Sequence, residues 1–357
     1  MSEVEQARDE RPLARGAPFG LLAAALFGVS APIAKVLSPH VGPIMLAALL
    51  YLGSGVGLVI YGAFVSSTRG EAKLRRSDLP AMLGVITAGG MLGPILLMWG
   101  VRRLSALASS LLLNLEAPLT IAIAVLFFRE HLGRKQLVAS LAIVAAAAML
   151  GARRGDLAFD WLGAAAIAFA CLAWAIDNNL TQRLSLRDPI AVVRLKSLVA
   201  GACTLSLAWL FEGRWPTPTV TSLAMLLGVG SYGVSLLFHM RALRLIGAAR
   251  QAALFSTAPF VGAIASIPIA HERPSMIDLV AGVIMAMGLL VMLKESHAHA
   301  HTHEAIEHEH LHVHDEHHQH HHPPGEGDVE PHGHPHRHEP LTHRHPHVSD
   351  LHHRHRH

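Results

Sequence analysis

Charge and aromatic side chains are scarce in this 357-residue chain: 15% of residues are charged and 5% aromatic, against 51% apolar. A soluble domain carries about 25% charged residues and confines its apolar ones to a face or stripe. Here they come in runs as long as a bilayer is thick, and mean hydropathy is +0.37 although the C-terminal sixth is polar. An ordinary soluble globular protein is excluded. Cysteine is nearly absent. Cys171 and Cys203 lie within apolar stretches, which excludes a disulfide framework and a Cys-x-x-Cys site and predicts two small buried hydrophobes. No phosphate-binding GxxxxGK[ST] occurs, so the expected driving force is a gradient rather than ATP hydrolysis. Lys and Arg stand singly or in pairs between apolar runs, a pattern that excludes nucleic-acid binding. No enzyme is indicated either. His303-Glu304 opens a zincin-like pattern, but Glu307 stands where the second histidine belongs.

What is present reads as ten membrane spans, near 17–37, 42–65, 79–99, 104–128, 136–152, 159–180, 189–211, 219–240, 246–270 and 277–293. Acidic Glu3, Glu5, Asp9 and Glu10 precede the first, which predicts insertion by that span rather than a cleaved signal peptide. Alternate connections carry 15 and 7 basic residues, and the positive-inside bias then puts both termini in the cytoplasm. Residues 1–296 hold 25 Lys and Arg against 16 Asp and Glu, whereas residues 297–357 hold 4 against 10.

The two halves share landmarks. RLSALASSLLLNLEAP, ending at Pro118, aligns with RLIGAARQAALFSTAP, ending at Pro259, and repeats Arg103, Leu104, Ala108, Leu113, Ala117 and Pro118. Glu130 and Glu272 each precede an LVA by the same distance, and Gly20 has a counterpart at Gly163. An odd number of spans per repeat forces the second copy to insert upside down, the plan of secondary transporters with substrate at the repeat interface. On the fourth-span segment GVRRLSALASSLLLNLEAPLTIAIAVLFFREHL, its repeat in the ninth span and CLAWAIDNNLTQRLS in the sixth, the chain resembles the EamA-type members of the drug/metabolite transporter superfamily. The resemblance covers about residues 17–293 and implies export of a solute it does not name.

The tail holds 24 of the 28 histidines, many alternating. His297, His299, His301, His303, His308, His310, His312, His314, His332, His334, His336 and His338 lead the series, which continues to His357. Neutral imidazole suits nickel, cobalt, zinc and cupric ions, and residues two apart point the same way on an extended chain. Low hydrophobicity with Pro323, Pro324 and Gly325 predicts disorder in the empty tail, which at three or four ligands per ion has room for roughly 6–8 ions. The alternative is a solubilising tract with incidental metal affinity.

Polar groups inside the membrane are costly and mark functional candidates. Asn114 and Glu116 stand in the middle of the fourth span beside Pro118, and Asp177, Asn178 and Asn179 near the cytoplasmic end of the sixth. Oxygen ligands from two facing spans suit passage of a divalent cation, with Glu116 as coupling group. The competing reading pairs Glu116 with Arg250. His239 in the eighth span is a candidate ligand near Asp177 or a hydrogen-bond partner of a neighbouring helix. Lys35, Arg194 and Lys196 suit an anionic solute or snorkelling to the interface. The run Gly53-Ser-Gly-Val-Gly57 reads as helix packing, not a nucleotide loop.

The sequence therefore predicts an all-α membrane protein of ten transmembrane helices, arranged as two inverted five-helix repeats. Residues 1–16 form a cytoplasmic segment, 17–152 and 153–296 the repeats, and 297–357 a disordered His-rich tail. The expected function is inner-membrane export of nickel, cobalt or zinc. In tail and core together the chain resembles bacterial nickel and cobalt resistance membrane proteins. No cofactor is required beyond the divalent metal bound by the tail. The partners implied are the lipid bilayer and a transition-metal cation or small-molecule substrate, with a homodimer among the assemblies open to it. The rival reading is export of a small organic metabolite or amino acid with a metal-sensing tail.

Overall fold

The computed structural model describes residues 3–64, 73–128, 133–151, 160–181, 184, 187–246 and 248–294, and in the tail 297–303, 307–312, 332–337 and 341–347. Eight helical segments among them are long and apolar enough to cross a membrane. These are α1 (Gly16–Leu37), α2 (Pro43–Phe64), α3 (Arg76–Arg103), α4 (Ala106–Phe127), α6 (Trp161–Thr181), α7 (Pro189–Phe211), α8 (Pro218–Leu243) and α9 (Arg250–Ile269). Two more, α5 (Arg134–Gly151) and α10 (Met276–Lys294), fall where a fifth and a tenth span are expected; the apolar part of α10 is the shorter Met276–Met292. Each expected span is thus helical over most of its described residues, and eight have the length and apolarity to cross.

Helix pairing obeys a two-fold rule. Taking α6 to α10 as the equivalents of α1 to α5, α2 packs on α7, α4 on α9 and α5 on α10, while α1 pairs with α8 as α3 pairs with α6. Positions that are equivalent therefore meet on the axis: Ser54 Oγ lies 3.2 Å from Ser197 Oγ. Small residues allow the closest approaches. Gly53 sits against the Met225 backbone, Gly55 against Leu198 and Gly57 against Val229, so the glycine run of α2 is a packing surface.

Leu46, Leu49, Leu50, Leu97, Met98, Leu112 and Ile167 fill the interior, whereas Phe64, Leu126, Phe127, Leu210 and Phe211 are exposed on the outside. Such a surface suits lipid rather than water. Trp161, Trp209 and Trp215 are exposed at or near helix ends on one side, where amphipathic rings favour the membrane interface. Cys171 is buried as expected, but Cys203 faces outward on α7.

That same end, away from the N-terminus of α1, is held shut by four polar clasps. Glu212 at the foot of α7 accepts from Ile44 N and Met45 N at 2.8 and 3.0 Å. Glu272, beyond α9, accepts from Ala106 N and Leu107 N at 2.6 and 2.8 Å. Both carboxylates satisfy orphan N–H groups at a helix start in the other half, where the dipole favours negative charge. Lys35 Nζ donates to Val101 O and Arg102 O at the end of α3, each at 3.0 Å. Arg103 pairs with Asp160. Desolvation opposes ionisation of Asp160, but hydrogen bonds from Arg103 and from the Gly163 and Leu162 N–H groups hold its carboxyl below the usual range. At the opposite end Arg187 makes a two-pronged bond to Asp78 at 2.7 and 3.1 Å.

Removing one clasp should be measurable. Glu272→Ala leaves two helix-start donors without their carboxylate and is expected to cost about 1–2 kcal/mol, read as a lower midpoint of thermal unfolding in detergent. An unchanged midpoint would show that water replaces the carboxylate fully.

In the tail, β1 (His297–His303) pairs antiparallel with β4 (Leu341–His347), and β2 (Glu307–His312) with β3 (His332–Arg337). Composition predicts disorder here, but the alternation of histidine with other residues has the period of two that a strand satisfies. A two-stranded ladder without further support is marginal in water. The register sets His297 opposite His347, His299 opposite His345 and His301 opposite His343, then His308 opposite His336, His310 opposite His334 and His312 opposite His332. His314 and His338 lie outside the described residues, as does the repeat landmark Glu130.

Candidate functional site

Two helices depart from α geometry at equivalent places. Ile86–Leu92 in α3 and Val229–Val234 in α8 are π-helical turns, ITAGGML and VGSYGV, and each is built around glycine. Such turns release carbonyl groups from the helical ladder and gather at functional sites. Gly89 O accepts from Tyr51 Oη at 2.8 Å and from Trp174 Nε1 at 3.1 Å. Gly89 has to be glycine for a second reason, since a Cβ there would run into the Asp177 carboxylate.

Asp177 ends its helix one turn before Thr181 and is engaged on both oxygens. Oδ2 accepts from Lys196 Nζ of α7, and Oδ1 from Thr181 Oγ1 at 3.3 Å. This ion pair is 13% exposed at Lys196 and 9% at Asp177, so most of its hydration is gone. Next to it Asn178 Nδ2 donates to Glu116 Oε1 at 2.8 Å, joining α6 to α4. Asn179 Nδ2 adds a bond to Ala175 O at 2.8 Å and a longer one to Thr120 O. Three helices therefore bring two carboxylates and one ammonium together. No ion pair to Glu116 occurs among the described residues, which leaves the cluster one negative charge in excess when all three groups are ionised.

Beside the cluster opens a cavity of about 220 Å³ lined by Lys196, Ser197, Ser231, Tyr232, His239 and Phe255, with Phe27 and Tyr51 among the remaining residues. Its aromatic rings touch in series: Phe27 to Phe255 at 5.3 Å, Phe27 to Tyr232 at 5.6 Å, Tyr232 to Tyr51 at 5.6 Å. Ser197 belongs to the pair on the two-fold axis, so the cavity sits at the junction of the repeats.

Four sequence expectations meet this geometry differently. Glu116, Asp177 and Asn178 do gather. Asn114 does not join them: its amide donates to Leu111 O at 2.9 Å and turns toward Met285 of α10, because an Asn inside a helix bonds its own preceding turn when no other acceptor is close. His239 lies on the cavity wall with Nδ1 3.0 Å from Gln251 Nε2 and its ring edge-on to Phe255, the helix-to-helix bond of the alternative reading. The observed partner of Glu116 is Asn178 rather than Arg250. The sequence does not mark Lys196 as the partner of Asp177. The spacing of 19 residues across a helical hairpin carries no periodic signal, although a lysine well inside an apolar run invites the search for an acid. The π turns were equally unread, and their trace is the Gly-Gly and Gly-x-x-Gly within otherwise apolar spans.

Among the described residues no three His, Cys, Asp or Glu side chains come together as a metal cage. What the core provides is two carboxylates, an amide and hydroxyls, an oxygen-rich set next to an aromatic cavity.

Comparison with known proteins adds a lineage. The profile of the EamA-like transporter family matches two stretches, residues 14–152 and 161–294. An uncharacterized transporter of Methanothermobacter thermautotrophicus is 27% identical over 290 residues, which span 76% of this chain and 84% of that one. A solved crystal structure superposes with a TM-score of 0.57 at 18% identity, over 78% of this chain and 97% of its own, a likeness of fold.

Proposed function

Since the chain belongs to the EamA-like transporter family and is a multi-pass membrane transporter, we propose that it is a secondary exporter of a divalent transition-metal cation, nickel, cobalt or zinc, in the inner membrane. The observation that carries this reading is the charge count in the core. Glu116 and Asp177 outnumber the one ammonium between them, so the cluster favours a cation or a proton. Both groups sit at the repeat junction, where rocking of inverted repeats exposes a site to either side in turn. Glu116 exchanges its proton for the ion, and Asp177, nearer the helix end, meets the ion first.

The tail supports the same cargo. With both termini cytoplasmic, as the basic connections favour, it hangs at the entrance and gathers ions on imidazole. Its register brings histidines opposite one another in two ladders. Metal binding needs neutral imidazole, so capture fades as pH falls through about 6.5.

A second reading, export of a small organic solute, draws on the aromatic lining of the cavity. Inside-out vesicles separate the two. Radioactive nickel, cobalt or zinc is expected to enter them saturably when the chain is present and a proton gradient is imposed. Truncation after Ser296 should lower uptake at scarce metal and leave it unchanged at saturation. Vesicles that take up none of the three metals would transfer the weight to the organic solute.

A further inference from the structure

Lys196 has no place in the exchange described so far, yet it occupies the carboxylate the cargo needs. Its ammonium bonds Asp177 Oδ2 and the same side chain forms part of the cavity wall. The pair is seated in a niche made for it. A Cβ on Gly89 would collide with the Asp177 carboxylate, and one on Gly90 would come within 3.5 Å of Lys196 Cγ and 2.6 Å of Ala200 Cβ. The consecutive glycines of the π turn thus leave room for a lysine side chain alongside. Arg194, two residues earlier on the same helix, reaches instead toward Gly62 on α2.

We infer that Lys196 is a tethered competitor of the cargo: it fills the Asp177 carboxylate when the site is empty and swings into the adjoining cavity when a cation takes that carboxylate. This rests on the cation reading above. The groups facing the ammonium from the surrounding helices define both of its positions. Asp177 on α6 holds it in the first, with the Glu116 carboxylate on α4 acting on it through space. Ser231 and Tyr232 on α8, Ser197 on its own helix and Tyr51 on α2 line the second, with His239 also on its wall. No covalent chemistry is involved and no charge leaves the protein.

Competition explains how a site built on two carboxylates can let an ion go. A divalent cation held by two carboxylates in a medium of low dielectric is bound too firmly for turnover unless something takes its place. A lysine on a flexible four-carbon stem does so without diffusing away. The ammonium also covers Asp177 between cycles, so that this carboxylate is not left bare inside the protein.

The test is nickel uptake by inside-out vesicles carrying the full-length chain, with nickel varied in wild type, Lys196→Met and Lys196→Arg. A neighbouring opposite charge alters a carboxylate's proton affinity by about tenfold to a thousandfold. Loss of the ammonium should accordingly lower the half-saturating nickel concentration at least tenfold and, by slowing release, reduce the maximal rate. Lys196→Arg keeps the competing charge and should hold half-saturation near the wild-type value. Lys196→Gln carries the expectation of the Met variant and keeps the test open if Lys196→Met does not insert. Half-saturation that is unchanged or raised in the uncharged variants, with wild-type uptake intact, overturns the competitor alone. Absence of saturable nickel uptake in wild type overturns the cargo reading and the competitor with it.

Discussion

Glu116→Gln is expected to reduce metal uptake to the level of vesicles lacking the protein, while leaving insertion and tail binding intact. Glutamine keeps the oxygen that accepts from Asn178 Nδ2, so the α4 to α6 contact survives and what disappears is the group that can hold and give up a proton. The same vesicles, followed with a pH-sensitive dye, should show no alkalinisation or acidification on adding metal. Wild-type uptake by Glu116→Gln would reduce the residue to a helix-packing role. The weight would then move to the organic-solute reading, because the core would hold only a neutral ion pair.

Gly53→Leu should have the largest effect on the protein itself. A Cβ at Gly53 would meet the Met225 carbonyl group and lie 2.9 Å from Met225 Cα, and at the facing Gly228 one would strike the Leu50 backbone in the same way. Overpacking costs about 1–3 kcal/mol where side chains can yield, and here the obstacle is backbone on both sides, so the upper end or beyond applies. Against total stabilities of about 5–15 kcal/mol for folded domains, the expected result is little monodisperse protein in detergent and a sharply lowered unfolding midpoint. By contrast Gly230→Ala, where an added Cβ has no neighbour within 4 Å, should behave as wild type apart from any effect on the π turn. Equal yields for Gly53→Leu and Gly230→Ala would contradict the close α2 to α8 approach.

Span positions were legible because a bilayer imposes its own length on apolar runs, and all ten expected segments are helical. Span count is less so: among the described residues eight helices have the length and apolarity to cross a membrane, and α5 and α10 are not among them. The landmark Glu272 was read as a sign of repetition, and the structure gives it work, capping the start of α4 across the repeat boundary. Sequence order hides such partners because 166 residues separate donor from acceptor. The same holds for Lys196 and Asp177, which meet where Gly89 and Gly90 in the π turn of α3 leave room beside them. Acids standing alone in apolar spans could be picked out from composition, but their partners are a property of the packing.

The four clasps at the far end carry a kinetic consequence. A transporter that works by alternating access has to part the helices at this end once per cycle, and here that step hands four helix-start N–H groups and two helix-end carbonyls to water while Glu212, Glu272 and Lys35 lose their partners. Since hydration compensates most of each lost bond, the ground-state conformers can remain close in free energy while the path between them stays steep. The molecule then idles with this end latched. Turnover number, rather than affinity for cargo, becomes the quantity that the clasps regulate.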